Sequence, residues 1–378
     1  MSKVLYVKEG RKMNSIKRIE VIYDNRLVGR LALTKESLCA FEYSAEWLNS
    51  GFSISPFELP LRSGVFIAKP RPFDGGFGVF DDCLPDGWGL LILDRYLQRN
   101  GVNPRTLSLL DRLALVGSTG RGALEFRPDK SVVSKQEYAD FEKLALEAEQ
   151  ILDSDNYNGE GIEEFQYRGG SPGGARPKIF TRYDGKEWLV KFRAKRDSKH
   201  IGEDEYRYSL LAKECGIEMP KTRLFEDKYF GVERFDRTSN GKLHVVSIAG
   251  LIGADYRLPS IDYTHIFQVC ATLTHSVAEM WKVYRLMVFN YLIDNKDDHA
   301  KNFAFIYRDG NWHFAPAFDL LPSDGINGFR TTSINDRIEP TKEDLFAVMV
   351  KVGLNEKEAV EIFEEIQGIL SMTFDQSF

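Results

Sequence analysis

Asp294-Asn295-Lys296-Asp297-Asp298-His299-Ala300-Lys301-Asn302 is the densest polar run in the chain, and its flanks say how it is presented. Upstream, Val277, Met280, Trp281, Tyr284, Met287, Val288, Tyr291 and Leu292 recur at i, i+3, i+4 and i+7, which predicts an amphipathic helix. Downstream, Phe303 to Ile306 and Trp312 to Ala315 predict a small hairpin that turns at Asp309-Gly310-Asn311. Pro316-Ala317-Phe318-Asp319-Leu320-Leu321-Pro322 follows the second strand. A hairpin returns its ends to one side, so Asp297, Asn302 and Asp319 share a neighbourhood.

That set suits phosphoryl transfer. Asp297 can accept the proton of an attacking hydroxyl, while Asn302, five residues on, and Asp319, 22 on, offer hard oxygens to Mg²⁺ between the phosphates of ATP. The plain alternative is a solvated acidic loop; the clean Asp-x-x-x-x-Asn interval and an Asp set between apolar runs favour a metal–nucleotide site.

A partner for the phosphates lies upstream, in Arg168-Gly169-Gly170-Ser171-Pro172-Gly173-Gly174-Ala175-Arg176-Pro177-Lys178. Small residues let backbone N–H groups turn toward an anion, although the run matches neither the Walker nor the protein-kinase glycine pattern. Ile179 to Tyr183 and Lys186 to Phe192 flank Asp184-Gly185, a strong hairpin signal. Lys178 opens this hairpin and Lys191 sits in its apolar second strand. Such a lysine needs a partner, either a nucleotide phosphate or a helix carboxylate such as Glu205, unless it lies on an edge and faces water. A helix over Glu203 to Cys215 is predicted with Tyr206, Leu210 and Leu211 on one face. Glu233-Arg234-Phe235-Asp236-Arg237 reads as a hinge whose backbone meets an adenine edge, or as a charged strand end. Gly117 to Leu124 lacks a lysine and an acid at useful spacing and reads as a structural turn. Asp86, in Leu84-Pro85-Asp86-Gly87-Trp88-Gly89, reads as a helix N-cap.

Around these motifs the chain divides into a β-rich stretch (1–128), a mixed part with the glycine-rich loop (129–237) and a helical end (238–378). With 378 residues, a net charge of −6 and 43% hydrophobic residues, it is expected to fold as a soluble protein. It is not expected to hold nucleic acid by surface charge alone. The four cysteines and six histidines show no metal-ligand spacing, so reduced thiols in the cytoplasm fit best. The charged opening MSKVLYVKEGRKMNSIKRIE predicts no secretory signal, and no apolar run is long enough to cross a membrane.

Taken together, Val28-Gly29-Arg30-Leu31, Phe41-Glu42-Tyr43, Trp47-Leu48, Leu84 to Gly89, Gly173 to Lys178, Val232 to Arg237, Asp297 to Asn302 and Ala315 to Asp319 resemble the HipA-type serine/threonine kinases, toxins of bacterial toxin–antitoxin pairs. The resemblance spans nearly the whole chain. It implies an α+β, protein-kinase-like two-lobed fold with a β-rich N-terminal subdomain and an all-helical C-terminal lobe. Asp297 would be the catalytic base, Asn302 and Asp319 the Mg²⁺ ligands, and His299 would lie near the phosphates. Lys191 would hold the nucleotide phosphates, with Lys178 and the Gly173-Gly174 backbone beside it, and Glu233 and Phe235 would line the adenine pocket. Ser171 sits where such kinases phosphorylate themselves, which ejects the loop and silences the enzyme. The implied partners are a helix-turn-helix antitoxin, which makes the DNA contacts, and a protein substrate, commonly an aminoacyl-tRNA synthetase. Two positions depart from the pattern. Asp298 replaces a common Gly, which is expected to add negative charge near the metals, and Pro172 stiffens the loop. The site residues alone also fit a small-molecule phosphotransferase or a catalytically silent nucleotide-binding module.

Overall fold

Residue pairs that tolerate left-handed backbone set the strand registers. Strands β1 (Arg18–Tyr23) and β2 (Arg26–Leu33) turn at Asp24-Asn25, with φ of 46° and 60°, the geometry that matches strand twist in a two-residue hairpin. With β3 (Cys39–Tyr43), β4 (Val65–Ile67) and β5 (Glu125–Arg127) they form an antiparallel sheet in the order β4-β3-β2-β1-β5. Alternation puts Ile19, Val21, Leu31 and Phe41 on the buried face. Gly29 in β2 has no room for a side chain: a Cβ there would lie 2.3 Å from the Glu42 carbonyl and 2.7 Å from the Phe41 ring. The computed structural model describes residues 15–132, 139–154, 157, 159–169, 173–325 and 327–375.

The second sheet has the order β6-β7-β9-β8, from β6 (Lys178–Tyr183), β7 (Lys186–Lys191), β8 (Thr222–Phe225) and β9 (Tyr229–Glu233). The predicted Asp184-Gly185 turn joins β6 and β7, with φ of 50° and 69°. Helices Gly87–Arg99, Phe141–Asp153 and Gly161–Gly169 supply Trp88, Ile92, Phe141, Leu144 and Phe165 to a core shared with Ile179, Val190, Phe192 and Phe225.

An all-helical end is not what forms. Beyond residue 236 come β10 (Arg237–Thr238), β11 (Gly241–Lys242), β12 (His244–Ser247), β13 (Ile261–Asp262), β14 (Ala304–Arg308), β15 (Asn311–Phe314) and β16 (Thr332–Ser333). β12, β14 and β15 make an antiparallel sheet, and β13 pairs in parallel with β16. The predicted hairpin after the polar loop gains a third strand because Val245, Ala304 and Ile306 form a small apolar patch of their own. Around these strands pack helices Tyr263–Thr274, Val277–Leu292, Lys342–Val352 and Glu356–Asp375. Two of these helices are capped by side chains: Asp344 accepts the Thr341 N–H at 2.9 Å and Asn355 accepts the Glu358 N–H at 3.0 Å.

The first sheet and the C-terminal helices share one continuous core, in which Phe41, Phe80 and Phe126 join Ile248, Phe267 and Phe289. The four cysteines are buried and free. No helix among the described residues is long and apolar enough to cross a membrane.

The glycine run 117–124 works as a structural turn. Gly122 N–H donates to Asp236 at 2.8 Å, and the Gly120 carbonyl accepts from Arg234 and Arg237 at 3.2 and 2.8 Å. Asp236 is 5% exposed and also pairs with Arg234 at 2.8 Å and Arg237 at 2.9 Å. Burial pushes its carboxyl up, but the two guanidiniums outweigh that and hold it well below the usual aspartate range. Asp236→Ala would leave two buried cations short of a counter-charge, and a loss of ~3–5 kcal/mol is expected. Urea unfolding midpoints check this; a loss under about 1 kcal/mol, the size of an ordinary surface change, would contradict it.

Candidate active site

Lys191 ends β7 with its side chain 8% exposed, and a charge so placed must be paired. Its Nζ donates to Glu205 Oε2 at 2.7 Å and to Asp319 Oδ1 at 2.5 Å. Burial disfavours the ammonium, but Asp319 and Glu205 together raise its pKa above the ordinary lysine value. The helix carboxylate weighed as a partner is therefore present, on helix Ile201–Glu214. The face of that helix differs from the prediction. Gly202, Glu205, Ser209 and Ala212 form the buried stripe with Leu211, while Leu210 is 39% exposed. An apolar count misses this face because its central member is a glutamate neutralised by Lys191.

Glu205 is held in turn by Arg176, whose Nη1 lies 2.9 Å from Oε1, and Arg176 Nε lies 3.0 Å from Asp197. The strand register sets Lys178 directly opposite Lys191. Burial, and then the neighbouring Lys191 charge, push the Lys178 pKa down to about 8. Its Nζ donates to the Gly173 carbonyl. Gly174 has φ of 91°, open to glycine, and a Cβ there would lie 2.8 Å from Lys178 Nζ.

Opposite this group stands the polar loop. Asn302 Nδ2 donates to the Asp297 carbonyl at 2.9 Å, which orients the amide and leaves Oδ1 as its acceptor. Asp297 N–H donates to Asn295 Oδ1 at 3.2 Å. Burial raises the Asp297 carboxyl against the pull of His299, and Asp319 raises it further, so these side chains lie within electrostatic reach of one another. The Lys301 N–H points to His299 Nδ1 at 3.3 Å. Asp319 has φ of 61° and a carboxylate about 40% accessible; Lys191 first, then Lys178 and Arg176, hold it well below the usual aspartate range against its burial.

Lys191, Lys178, Gly173 and Asp319 are thus joined by contacts and strand register, and the loop that carries Asp297, His299 and Asn302 comes within electrostatic reach of them through Asp297 and Asp319. Phe235 joins through Phe318, the residue before Asp319: the two rings stack with centroids 6.2 Å apart and planes 22° apart. Glu233 stands further off, its side chain 3.8 Å from Lys186 and its N–H bonded to the Lys221 carbonyl. Ser171 lies outside the described residues. No three His, Cys, Asp or Glu side chains among the described residues converge as a metal cage. One carboxylate and one amide oxygen still suit Mg²⁺, which takes few protein ligands and fills its shell from phosphates and water. A cavity of about 270 Å³ is lined by Lys191, Glu205 and Arg176 together with Phe192, Gly202 and Tyr229.

Residue types and spacing did not link Asp86, Asp81 and Lys301 to one another. Asp86 occupies the N-cap position of helix Gly87–Arg99 but makes no cap bond; its carboxylate accepts from Gly174 N–H and from Lys301 Nζ instead. The only hint in the sequence is that Lys301 adjoins Asn302.

Comparison with known proteins matches residues 19–127 to the HipA N-terminal domain and residues 170–373 to the HipA-like C-terminal domain. The serine/threonine-protein kinase toxin HipA of Shewanella oneidensis is 23% identical over 392 aligned positions, covering 89% of this chain and 83% of that protein. Y4dM of Sinorhizobium fredii, which carries a provisional kinase name, is 27% identical over 328, covering 80% of this chain and 77% of that protein. The structure of S. oneidensis HipA with HipB and operator DNA superposes with a TM-score of 0.69 at 20% identity, covering 94% of this chain and 91% of that one.

Asp298 does not add charge near Asp319. Its side chain is 1% exposed and turns into the C-terminal core, where it accepts from Tyr263 OH at 2.8 Å and Thr332 N–H at 3.3 Å, with Arg330 at 3.9 Å. Burial pushes its carboxyl up to about 7, against Arg330 and the hydrogen bonds. A carboxyl whose folded pKa exceeds its unfolded value of about 4 favours folding below that value, and the advantage is lost as pH rises toward 7. Stability should therefore fall across that window, and Asp298→Asn should flatten that part of the slope. Thermal midpoints from pH 4 to 8 for both proteins check this; identical slopes would contradict it.

Proposed function

The chain belongs to the HipA family, and on that premise we propose that it is an ATP- and Mg²⁺-dependent serine/threonine protein kinase acting as the toxin of a toxin–antitoxin pair. The observation that carries this reading is the Lys191 ammonium, held between Glu205 and an Asp319 that lies within electrostatic reach of Asp297. In protein kinases a strand lysine paired with a helix glutamate, beside a metal-binding aspartate, marks an assembled site.

Lys191 and Lys178 bind the phosphates, and Glu205 aims Lys191. An arriving anion stabilises the Lys178 charge that burial and Lys191 oppose. Gly173 and Gly174 let the backbone approach, His299 flanks the phosphates, and Phe235 with Glu233 borders the adenine. Asp297 takes the proton of the attacking serine or threonine hydroxyl; its partial burial makes it a better base than a free aspartate. Asn302 and Asp319 would hold Mg²⁺, which neutralises charge on the phosphoryl group in flight. The S. oneidensis HipA structure includes HipB and operator DNA, which supports a helix-turn-helix antitoxin as partner here. A cytoplasmic protein substrate, of the aminoacyl-tRNA synthetase class, and self-phosphorylation at Ser171 complete the reading.

Asp297→Asn should lower phosphoryl transfer by ~10²–10⁴ while leaving thermal unfolding unchanged, because the residue acts on a proton. Labelled ATP incubated with lysate reads this out. A labelled protein band lost in the variant supports the assignment, and a labelled metabolite in its place would make the chain a small-molecule phosphotransferase. Asp319→Asn should weaken Mg·ATP binding by calorimetry; unchanged affinity removes its ligand role. Ser171→Ala should abolish a species heavier by about 80 Da, one phosphate, in protein incubated with Mg·ATP.

A further inference from the structure

The peptide joining Gly173 to Gly174 is gripped from both sides. Its carbonyl accepts from Lys178 Nζ and its N–H donates to Asp86 Oδ1, while the next carbonyl, of Gly174, accepts the Trp88 N–H at 3.0 Å. Asp86 and Trp88 belong to the start of helix Gly87–Arg99, 88 positions before Gly174 in the case of Asp86. The fit is tight: a Cβ on Gly87, whose φ is 44°, would lie 2.5 Å from the Gly174 carbonyl oxygen.

The other oxygen of Asp86 faces the polar loop. Oδ2 lies 3.1 Å from Lys301 Nζ, which lies equally 3.1 Å from Asp81 Oδ2 and 4.0 Å from the centre of the Tyr256 ring. Lys301 is 9% exposed. Burial opposes its charge, and Asp81 and Asp86 restore it. Burial likewise pushes Asp86 up, but Lys301, the Gly174 N–H and Lys178 outweigh that and hold it below the ordinary value. A single carboxylate therefore ties the glycine-rich segment to the residue next to Asn302.

We propose that Asp86 is a positioning residue: through its two oxygens it sets the Gly173-Gly174 peptide in register with the Lys301–Asn302 side of the site, so that the N-terminal part of the chain fixes the phosphate cradle. The consequence for ATP rests on the kinase reading; the grip on the loop does not. Loss of the grip should raise KM for ATP, because the cradle must be ordered at binding. It should spare kcat, because Asp297 and Asp319 keep their own contacts.

Hydrogen exchange of the intact protein without nucleotide reads the grip directly. Asp86→Ala should speed exchange at the Gly174 amide by about tenfold or more, with the helices Val277–Leu292 and Glu356–Asp375 unchanged. Asp86→Asn keeps an acceptor for that N–H and should restore most of the protection. In turnover, Asp86→Ala should raise KM for ATP about tenfold with kcat within about threefold, and Lys301→Met should move KM the same way. Unchanged Gly174 exchange in a folded Asp86→Ala protein overturns the proposal. So does a lowered KM, which would make Asp86 a competitor of the phosphates. If the wild type transfers no phosphate, the kinase reading fails and the exchange result alone decides the role of Asp86.

Discussion

A lysine ammonium removed from water has to be answered by carboxylates, and Lys191 draws its two from elements far apart in sequence: Glu205 from a helix and Asp319 from the turn after β15. Each contact fixes something else. The pairing with Glu205 turns a polar stripe of helix Ile201–Glu214 inward, and Arg176 follows to meet the second glutamate oxygen. The pairing with Asp319 ties the turn after β15 to the second sheet. Strand register then sets Lys178 beside Lys191, and two buried ammoniums at close range favour any anion that arrives.

The N-terminal sheet is no appendage to that cluster. It shares its core with the C-terminal helices, and three aspartates bind distant segments together. Asp82 accepts the Ser247 N–H and hydroxyl at 2.6 and 2.7 Å, Asp236 holds the 117–124 turn, and Asp86 holds Gly174. All three exploit the same asymmetry: a buried carboxylate that finds two or more donors stabilises the joint, whereas donors left behind would be unpaired in a dry place. A shift of the N-terminal part would be felt at the cradle through these joints.

The local features were legible in the residues because local rules govern them. Asp24-Asn25, Asp184-Gly185 and Asp309-Gly310 announce hairpins through their tolerance of positive φ, and the i, i+3, i+4 stripe announces Val277–Leu292. Hairpin geometry also made it legible that Asp297 and Asp319 come within electrostatic reach of one another. Three things did not follow. The face of Ile201–Glu214 was hidden because burial there is bought with charge pairing instead of apolar side chains. Asp298 was misplaced because neighbours in a loop need not point the same way, and its destination, Tyr263 and Thr332, lies 35 and 34 positions away. Asp86 looked like an ordinary cap because its partner Lys301 is 215 positions distant, a separation at which no spacing rule operates.

Two neighbouring carboxylates end with opposite tendencies, and the difference is what the proposed chemistry needs. Asp319 touches Lys191, feels Lys178 and Arg176, and is held as a carboxylate, the form that a metal ligand would need. Asp297 makes no ion pair among the described residues; burial, with the charge of Asp319 added, outweighs the pull of His299 and Arg176 and lifts its proton affinity, the direction a base requires. Neither tendency resides in the aspartate itself. Moving Lys191 away would raise Asp319 directly, and the Asp319 charge, no longer answered by the ammonium, would hold the Asp297 proton more firmly still, so the lysine is what keeps the two carboxyls apart in character.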